Sequence, residues 1–270
     1  MPAGDEHDKA RIAEGLASIV REAGEAALRA FRGGPVRSWT KANASPVSEA
    51  DLAVNHLLHR RLPPLVPHSG WLSEESEDDH ARLAARRIWV VDPIDGTRAF
   101  LKGLEDGTIS VALVEDGRPI LAAVFAPAPD QLYLAIEGRG ATLDGEPIAA
   151  TAGSGLNRAR VAGPQRFLDT LARLSPGVSA MPKVHSLALR LVRVASGELD
   201  AAFASANSHD WDLAAADLLV HEAGGALTTV QGERLVYNTS HSVHRPLVAA
   251  GTARHERLLD LIGQRQSEFA

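Results

Sequence analysis

The segment Val90-Val91-Asp92-Pro93-Ile94-Asp95-Gly96-Thr97 places two carboxylates three residues apart at the end of an apolar run. The run predicts a strand that delivers Asp92 to its end. Pro93 turns the chain, Asp95 curls back beside Asp92, and Gly96 permits a tight backbone approach. Thr97 opens a helix whose free N–H groups favour an anion. Two carboxylates this close repel one another when both are charged. A divalent cation removes the conflict, and Mg2+ takes hard oxygen ligands of the kind that Asp92, Asp95 and the Ile94 carbonyl offer. The competing reading is an acidic turn in which Asp95 only caps a helix.

Three other acidic positions carry weaker signals. Glu74-Glu75 follows the apolar pair Trp71-Leu72; such a pair is either a solvated loop or part of a shared site. Asp212 follows Trp211 and precedes Ala214-Ala215-Ala216. It is either a helix N-cap or a ligand brought in by a closely packing helix. Asp51 completes a capping box begun at Ser48, and it could equally accept a hydrogen bond from the Thr97 hydroxyl and so polarise a water. Of the eleven histidines, His185, His209 and His221 lie near these segments. A hard-cation site prefers oxygen, so His209 is either a substrate contact or a helix-entry residue.

The elements that must position these groups can be traced along the chain. Apolar residues at helical spacing predict a helix over residues 9–32, stopped by Gly33-Gly34-Pro35, and a second helix from Pro46 to Leu62 ended by Pro63-Pro64. A short strand at Gly70 leads into Glu74, and strands follow at 87–92, 108–115, 120–126 and 131–136, with Pro93 ending the first of them and a hairpin at 143–147. Beyond a Gly/Ser/Ala-rich loop come a strand at 160–163, a helix at 166–174, a helix at 186–196 and a strand at 199–204. A helix at 212–223 stopped by Gly224-Gly225, a strand at 247–250 and a terminal helix at 255–265 complete the chain. The pattern predicts two joined parts, 1–150 and 151–270, in an α+β layered sandwich with helices between and outside two sheets.

Composition bounds the partners. The 270 residues include 45% apolar and 23% charged side chains and no cysteine, so disulfides and thiolate chemistry are excluded. A net charge of −6 argues against a nucleic-acid polymer as ligand, and bound dications would reconcile it with a phosphate substrate. No apolar run reaches membrane-spanning length, and the polar, acidic N-terminus is not a secretory signal. The expectation is a cytoplasmic protein.

Three segments in order resemble the inositol monophosphatase family: Leu72-Ser73-Glu74-Glu75-Ser76; Asp92 to Thr97; and Trp211 to Ala216 followed by Glu222-Ala223-Gly224-Gly225. The resemblance implies a five-layered αβαβα fold, usually a homodimer, with two or three Mg2+ ions per site and inhibition by Li+. It implies that Glu74, Asp92 and the Ile94 carbonyl hold one ion and that Asp92, Asp95 and Asp212 hold a second, with Glu74 sharing a third. Gly96 and Thr97 would meet the phosphate. Glu75, Thr97 and Asp51 would orient and deprotonate the attacking water.

Family members hydrolyse inositol monophosphates, 3′(2′),5′-bisphosphate nucleotides, histidinol phosphate or fructose 1,6-bisphosphate. Inositol monophosphatases resemble one another in an acidic residue several positions before Trp-Asp, where this chain has Ala204 or Ser205. The Ser208-His209-Asp210-Trp211-Asp212 run looks more like bacterial 3′(2′),5′-bisphosphate nucleotidases, and Arg98 and Lys102 could meet a second phosphate or be surface residues. Candidate substrate contacts are Asp95, Gly96, Thr97, Arg98, Ser205 and His209. The expected activity is hydrolysis of adenosine 3′,5′-bisphosphate, with inositol 1-phosphate and then histidinol phosphate as alternatives. A phosphate-ligand binding protein that has lost the chemistry is the rival of another class. Such a protein would be expected to lack one of the four carboxylates, and this chain retains Glu74, Asp92, Asp95 and Asp212.

Overall fold

The computed structural model of the chain describes residues 3–32, 37–41, 46–78, 80–265 and 268–269. Helix α1 (Ala3–Arg32) starts earlier than the apolar periodicity alone indicates, because its first turns are polar. The expected stop at Gly33-Gly34-Pro35 lies outside the described residues. A two-stranded hairpin follows, β1 (Ser38–Thr40) with β2 (Pro46–Ser48). The second helix therefore does not begin at Pro46. Ser48 caps α2 (Glu49–Arg61), and the capping box is complete: Asp51 N donates to Ser48 Oγ, and Ser48 N donates to Asp51 Oδ2.

Seven strands then form one sheet in sequence order: β3 (Gly70–Ser73), β4 (Arg87–Asp95), β5 (Thr108–Glu115), β6 (Arg118–Ala126), β7 (Gln131–Ile136), β8 (Ala141–Leu143) and β9 (Glu146–Ile148). Only the β3–β4 pair is parallel. The short helix α3 (Thr97–Phe100) follows β4. A second sheet has the order β11-β10-β12-β16-β14, from β10 (Arg160–Ala162), β11 (Ser179–Ala180), β12 (Ala201–Ala204), β14 (Gly225–Thr229) and β16 (Leu247–Gly251). A small pair, β13 (Ser208–His209) with β15 (Val243–His244), stands apart. The remaining helices are α4 (Gln165–Leu174), α5 (Leu187–Ala195), α6 (Asp210–Glu222) and α7 (Thr252–Gly263).

Side-chain alternation along the strands assigns the layers. In β4, Trp89 and Val91 join Leu16, Val20, Val54 and Leu58 of α1 and α2, whereas Ile88 and Val90 join Leu189, Val192, Ala215 and Leu219 of α5 and α6. In β12, Ala202 and Ala204 face that same middle layer, whereas Ala201 and Phe203 pack with Phe167 and Leu171 of α4 and Leu258 and Ile262 of α7. The chain is thus a five-layered αβαβα sandwich. Both faces of each sheet are covered, which is why β4 reads as a continuous apolar run and not an alternating one. The alanines at 188, 195, 214, 215 and 216 let α5 and α6 sit between two sheets.

Two further boundaries differ from expectation in ways that bear on the site and the second sheet. Pro93 does not end β4; the pairing with β5 shifts between Asp92 and Asp95, an irregularity that accommodates the missing N–H and resumes at Asp95 opposite Thr108. The Gly224-Gly225 stop hid β14, because Gly225 opens a strand beside β16, and a Cβ there would meet the Ala250 carbonyl at 2.9 Å. Among the described residues no helix is long and apolar enough to cross a membrane.

Candidate active site

The irregular end of β4 places two carboxylates on one side. Asp92 Oδ1 accepts from Ile94 N at 3.1 Å, which ties the turn to the side chain it presents. Asp95 Oδ2 accepts from Ser186 Oγ at 2.7 Å and Ala188 N at 2.6 Å, so Asp95 is held against the start of α5. Ser186 itself caps α5 through Leu189 N and pairs with Thr108 Oγ1 at 2.9 Å. Asp212 is not the N-cap of α6. It is the third residue of the helix, and its Oδ2 accepts from the N–H of the cap residue, His209, at 2.6 Å.

Asp92, Asp95 and Asp212 bring one oxygen each within 4.8 Å of one another. Burial raises all three carboxyl pKa values. Asp92 stands well above the usual range, with the charges of Glu74, Asp95 and Asp212 adding to burial. Asp212 is likewise well raised, by burial and then by Asp95. Asp95 reaches only about 6, because the bonds from Ser186 and Ala188 oppose its burial. Three acids, Asp92 and Asp95 buried and Asp212 partly exposed, penalise one another's ionisation and present only oxygen donors, which suits a hard divalent cation.

Among the described residues, Glu74 and Glu75 are not part of the group of carboxylates that converge, although Glu74 was expected to join it. Glu74 is near enough for its charge to act on Asp92, Asp95 and Asp212. Its carboxylate is engaged by Lys41, whose Nζ lies 3.0 Å from Glu74 Oε1 and 2.5 Å from Glu75 Oε1. Burial raises the Glu75 carboxyl and the bond from Lys41 partly offsets it. The lysine is raised despite burial, chiefly by its bond to Glu75. Lys41 was invisible in the sequence, since a single lysine in a polar loop has no spacing relation to Glu74.

Thr97 Oγ1 lies 3.0 Å from both Asp51 Oδ1 and the Ile94 carbonyl, so it donates its one proton between them. Asp51 therefore serves both the cap of α2 and Thr97. Its pKa is raised by burial, against bonds from Ser48 and Thr97. Gly96 has φ +88°, and a Cβ there would approach Ser186 N at 3.2 Å, which explains why only glycine serves between Asp95 and Thr97.

The expected substrate contacts are less uniform. Arg98, Lys102 and Ser205 are exposed, and His209 is half-buried. The His209 ring lies flat on Trp211, centroids 4.4 Å apart and 5° between planes. Burial lowers the pKa of His209, and its Nδ1 has no hydrogen-bond partner among the described residues. His185 is tied to Asp106 through both its N–H and its Nδ1. Asp210 is fully buried, with one oxygen accepting from Asn238 N at 2.9 Å and the other 2.7 Å from His244 Nε2.

Known proteins resemble this chain over most of its length. A model described as the inositol monophosphatase family matches residues 8–267. An inositol-1-monophosphatase of Rhizobium meliloti is 34% identical over 80% of this chain and 85% of its own length. A 3′(2′),5′-bisphosphate nucleotidase, CysQ, of Aggregatibacter actinomycetemcomitans is 29% identical over 89% of this chain and 92% of its own. The crystal structure of the extragenic suppressor protein suhB of Bartonella henselae superposes with a TM-score of 0.81 at 26% identity, covering 93% of this chain and 98% of the other.

Proposed function

This chain belongs to the inositol monophosphatase family and is a phosphatase; from that premise we propose that it is a Mg2+-dependent 3′(2′),5′-bisphosphate nucleotidase, releasing phosphate from adenosine 3′,5′-bisphosphate to leave AMP. The observation that carries the substrate is the composition of the wall ahead of α6. Inositol monophosphatases resemble one another in an acid there that meets sugar hydroxyls. In this chain Ala204 and Ser205 hold that place, and Asp210, the one acid in the run from 203 to 211, is buried with both oxygens occupied. The exposed Arg98 and Lys102 on and after α3 supply positive charge suited to a second phosphate. The length of the match to the Aggregatibacter nucleotidase supports the same reading. The greater identity of the Rhizobium relative keeps inositol 1-phosphate as the second reading.

Asp92, Asp95, Asp212, Glu74 and the Ile94 carbonyl would hold the Mg2+ ions. Bound there, Mg2+ lowers the pKa of a coordinated water and neutralises charge on the phosphoryl oxygens and the leaving alkoxide. The chain's own groups orient the nucleophile. Because Thr97 Oγ1 spends its proton on Asp51 or Ile94 O, it is left to accept from a water. The proton that water loses passes through Thr97 to Asp51, or to Glu75. The water oxygen bonds to phosphorus as the ester P–O bond breaks, and the leaving oxygen takes up a proton. Gly96 and Thr97 offer backbone N–H groups to the phosphate. Homodimer formation and a cytoplasmic location belong to the same proposal, and light scattering of the purified protein reads the former.

The test is a comparison of kcat/KM for adenosine 3′,5′-bisphosphate, inositol 1-phosphate, histidinol phosphate and fructose 1,6-bisphosphate in Mg2+, with EDTA as control. The nucleotide should lead by at least tenfold. A lead for inositol 1-phosphate would replace the proposal with the second reading.

A further inference from the structure

Trp39 is the one aromatic ring among the exposed large apolar side chains of the described residues, with 45% of its surface open. The other three tryptophans are accounted for. Trp89 is buried in the outer core, Trp71 Nε1 donates to Ser76 Oγ, and Trp211 is covered by His209. Trp39 therefore presents an indole face to solvent that packing does not use.

Its position is fixed by the hairpin. Trp39 pairs with Val47, which is buried, and Ser48 next to Val47 caps the helix that carries Asp51. Glu49 N donates to Arg37 O at 3.0 Å, closing the hairpin directly onto the first turn of α2. Two residues beyond Trp39, Lys41 reaches Glu75 and also Glu74, whose charge acts on the three aspartates. In extended chain, residues two apart share a face and stand about 7 Å apart. The exposed indole is thus carried two residues from a side chain that touches Glu74 and Glu75. The strand that pairs with it, β2, lies alongside α3, the helix that Thr97 opens.

We propose that Trp39 is the wall on which the planar base of the substrate's nucleoside stacks, making it a specificity-determining residue for nucleotides over polyol phosphates. The inference rests on the nucleotidase reading and sharpens it to a residue. A phosphate seated by Gly96 and Thr97 directs its ester outward, and a base attached to that ester needs an apolar face near the rim. Stacking on an aromatic side chain is tolerant of base identity, so the preference would be for a nucleobase generally and not for adenine alone.

The experiment measures kcat/KM for adenosine 3′,5′-bisphosphate and inositol 1-phosphate in the full-length wild type and in Trp39→Ala, Trp39→Gln and Trp39→Phe. The nucleotide-to-inositol ratio should fall about tenfold in Trp39→Ala and Trp39→Gln, through KM and not kcat, and Trp39→Phe should restore most of it. Quenching of intrinsic fluorescence by AMP should be strong in the wild type and weak in Trp39→Phe. If the wild type hydrolyses the nucleotide and the ratio does not move in either the alanine or the glutamine variant, Trp39 has no such role while the nucleotidase reading stands. If the wild type hydrolyses inositol 1-phosphate but not the nucleotide, both fall together.

Discussion

Replacing Asp95 by asparagine should stabilise the metal-free protein while removing its activity, and the structure gives the size of the effect. Asp95 Oδ2 accepts from Ser186 Oγ and Ala188 N. An asparagine Oδ1 can take both bonds, leaving its amide toward Asp92 and Asp212. Burial holds the native Asp95 carboxyl at about 6 against an ordinary 3.8. At about 1.4 kcal/mol per tenfold change in ionisation constant, keeping it charged in the folded state costs about 3 kcal/mol. The sign follows from proton linkage. The folded state holds the proton more tightly than the unfolded chain, so the penalty is complete above pH 6 and is relieved as pH falls toward 3.8. The value of about 6 already includes the bonds from Ser186 and Ala188, which asparagine keeps as neutral ones. The net gain at pH 8 is therefore about 3 kcal/mol, or ~6 °C in Tm for a chain of this size. The assay is thermal unfolding in EDTA at pH 8 and pH 4.5, repeated with Mg2+. The variant should melt higher than wild type at pH 8, lose most of that advantage at pH 4.5, and gain less than wild type from Mg2+. A variant that melts well below wild type in EDTA at pH 8, or that gains from Mg2+ as much as wild type does, would show that these carboxylates are not in electrostatic conflict.

Other consequences can be checked independently. Thr97→Val should lower kcat by about 10²–10³ with little change in KM, whereas Thr97→Ser retains most activity, because general-base assistance contributes on that scale; equal kcat in both variants would remove the hydroxyl from the mechanism. Lys41→Met should destabilise the metal-free protein by about 1–3 kcal/mol in urea unfolding, since it leaves the buried Glu75 carboxylate without its cation. An unchanged midpoint and slope would make that ion pair energetically silent. Gly96→Ala should cost about 1–3 kcal/mol, because it forces a side chain into a left-handed backbone and against Ser186. Activity should fall with it, and a variant of wild-type stability and rate would show that the turn relaxes freely.

What the sequence disclosed and what it withheld divide along the range of the forces involved. Asp92, Asp95, Gly96 and Thr97 were legible because strand, turn and anion-favouring N-terminus are local events within eight residues. The alternation that sorts Trp89 and Val91 from Ile88 and Val90 into different layers is hidden in a run that is apolar at every position. The order of elements predicted helices between and outside two sheets, but which residue of β4 faces which layer could not be read from it. Pro93 misled for a related reason: a proline forbids one ladder bond, but a shift in register lets the strand continue past it. The least legible parts are polar contacts across long chain separations. Lys41 meets Glu74 over 33 residues and Ser186 meets Asp95 over 91. Neither lysine nor serine advertises such a partner, because each has many solvated uses elsewhere in a chain. Yet Ser186 is what holds Asp95 at about 6 when its neighbours are driven higher. The sequence thus pointed to Asp92, Asp95 and Asp212, which the folded chain brings together, and to Glu74, which is not in that group. The balance of charge among them depends on residues that only the folded chain reveals.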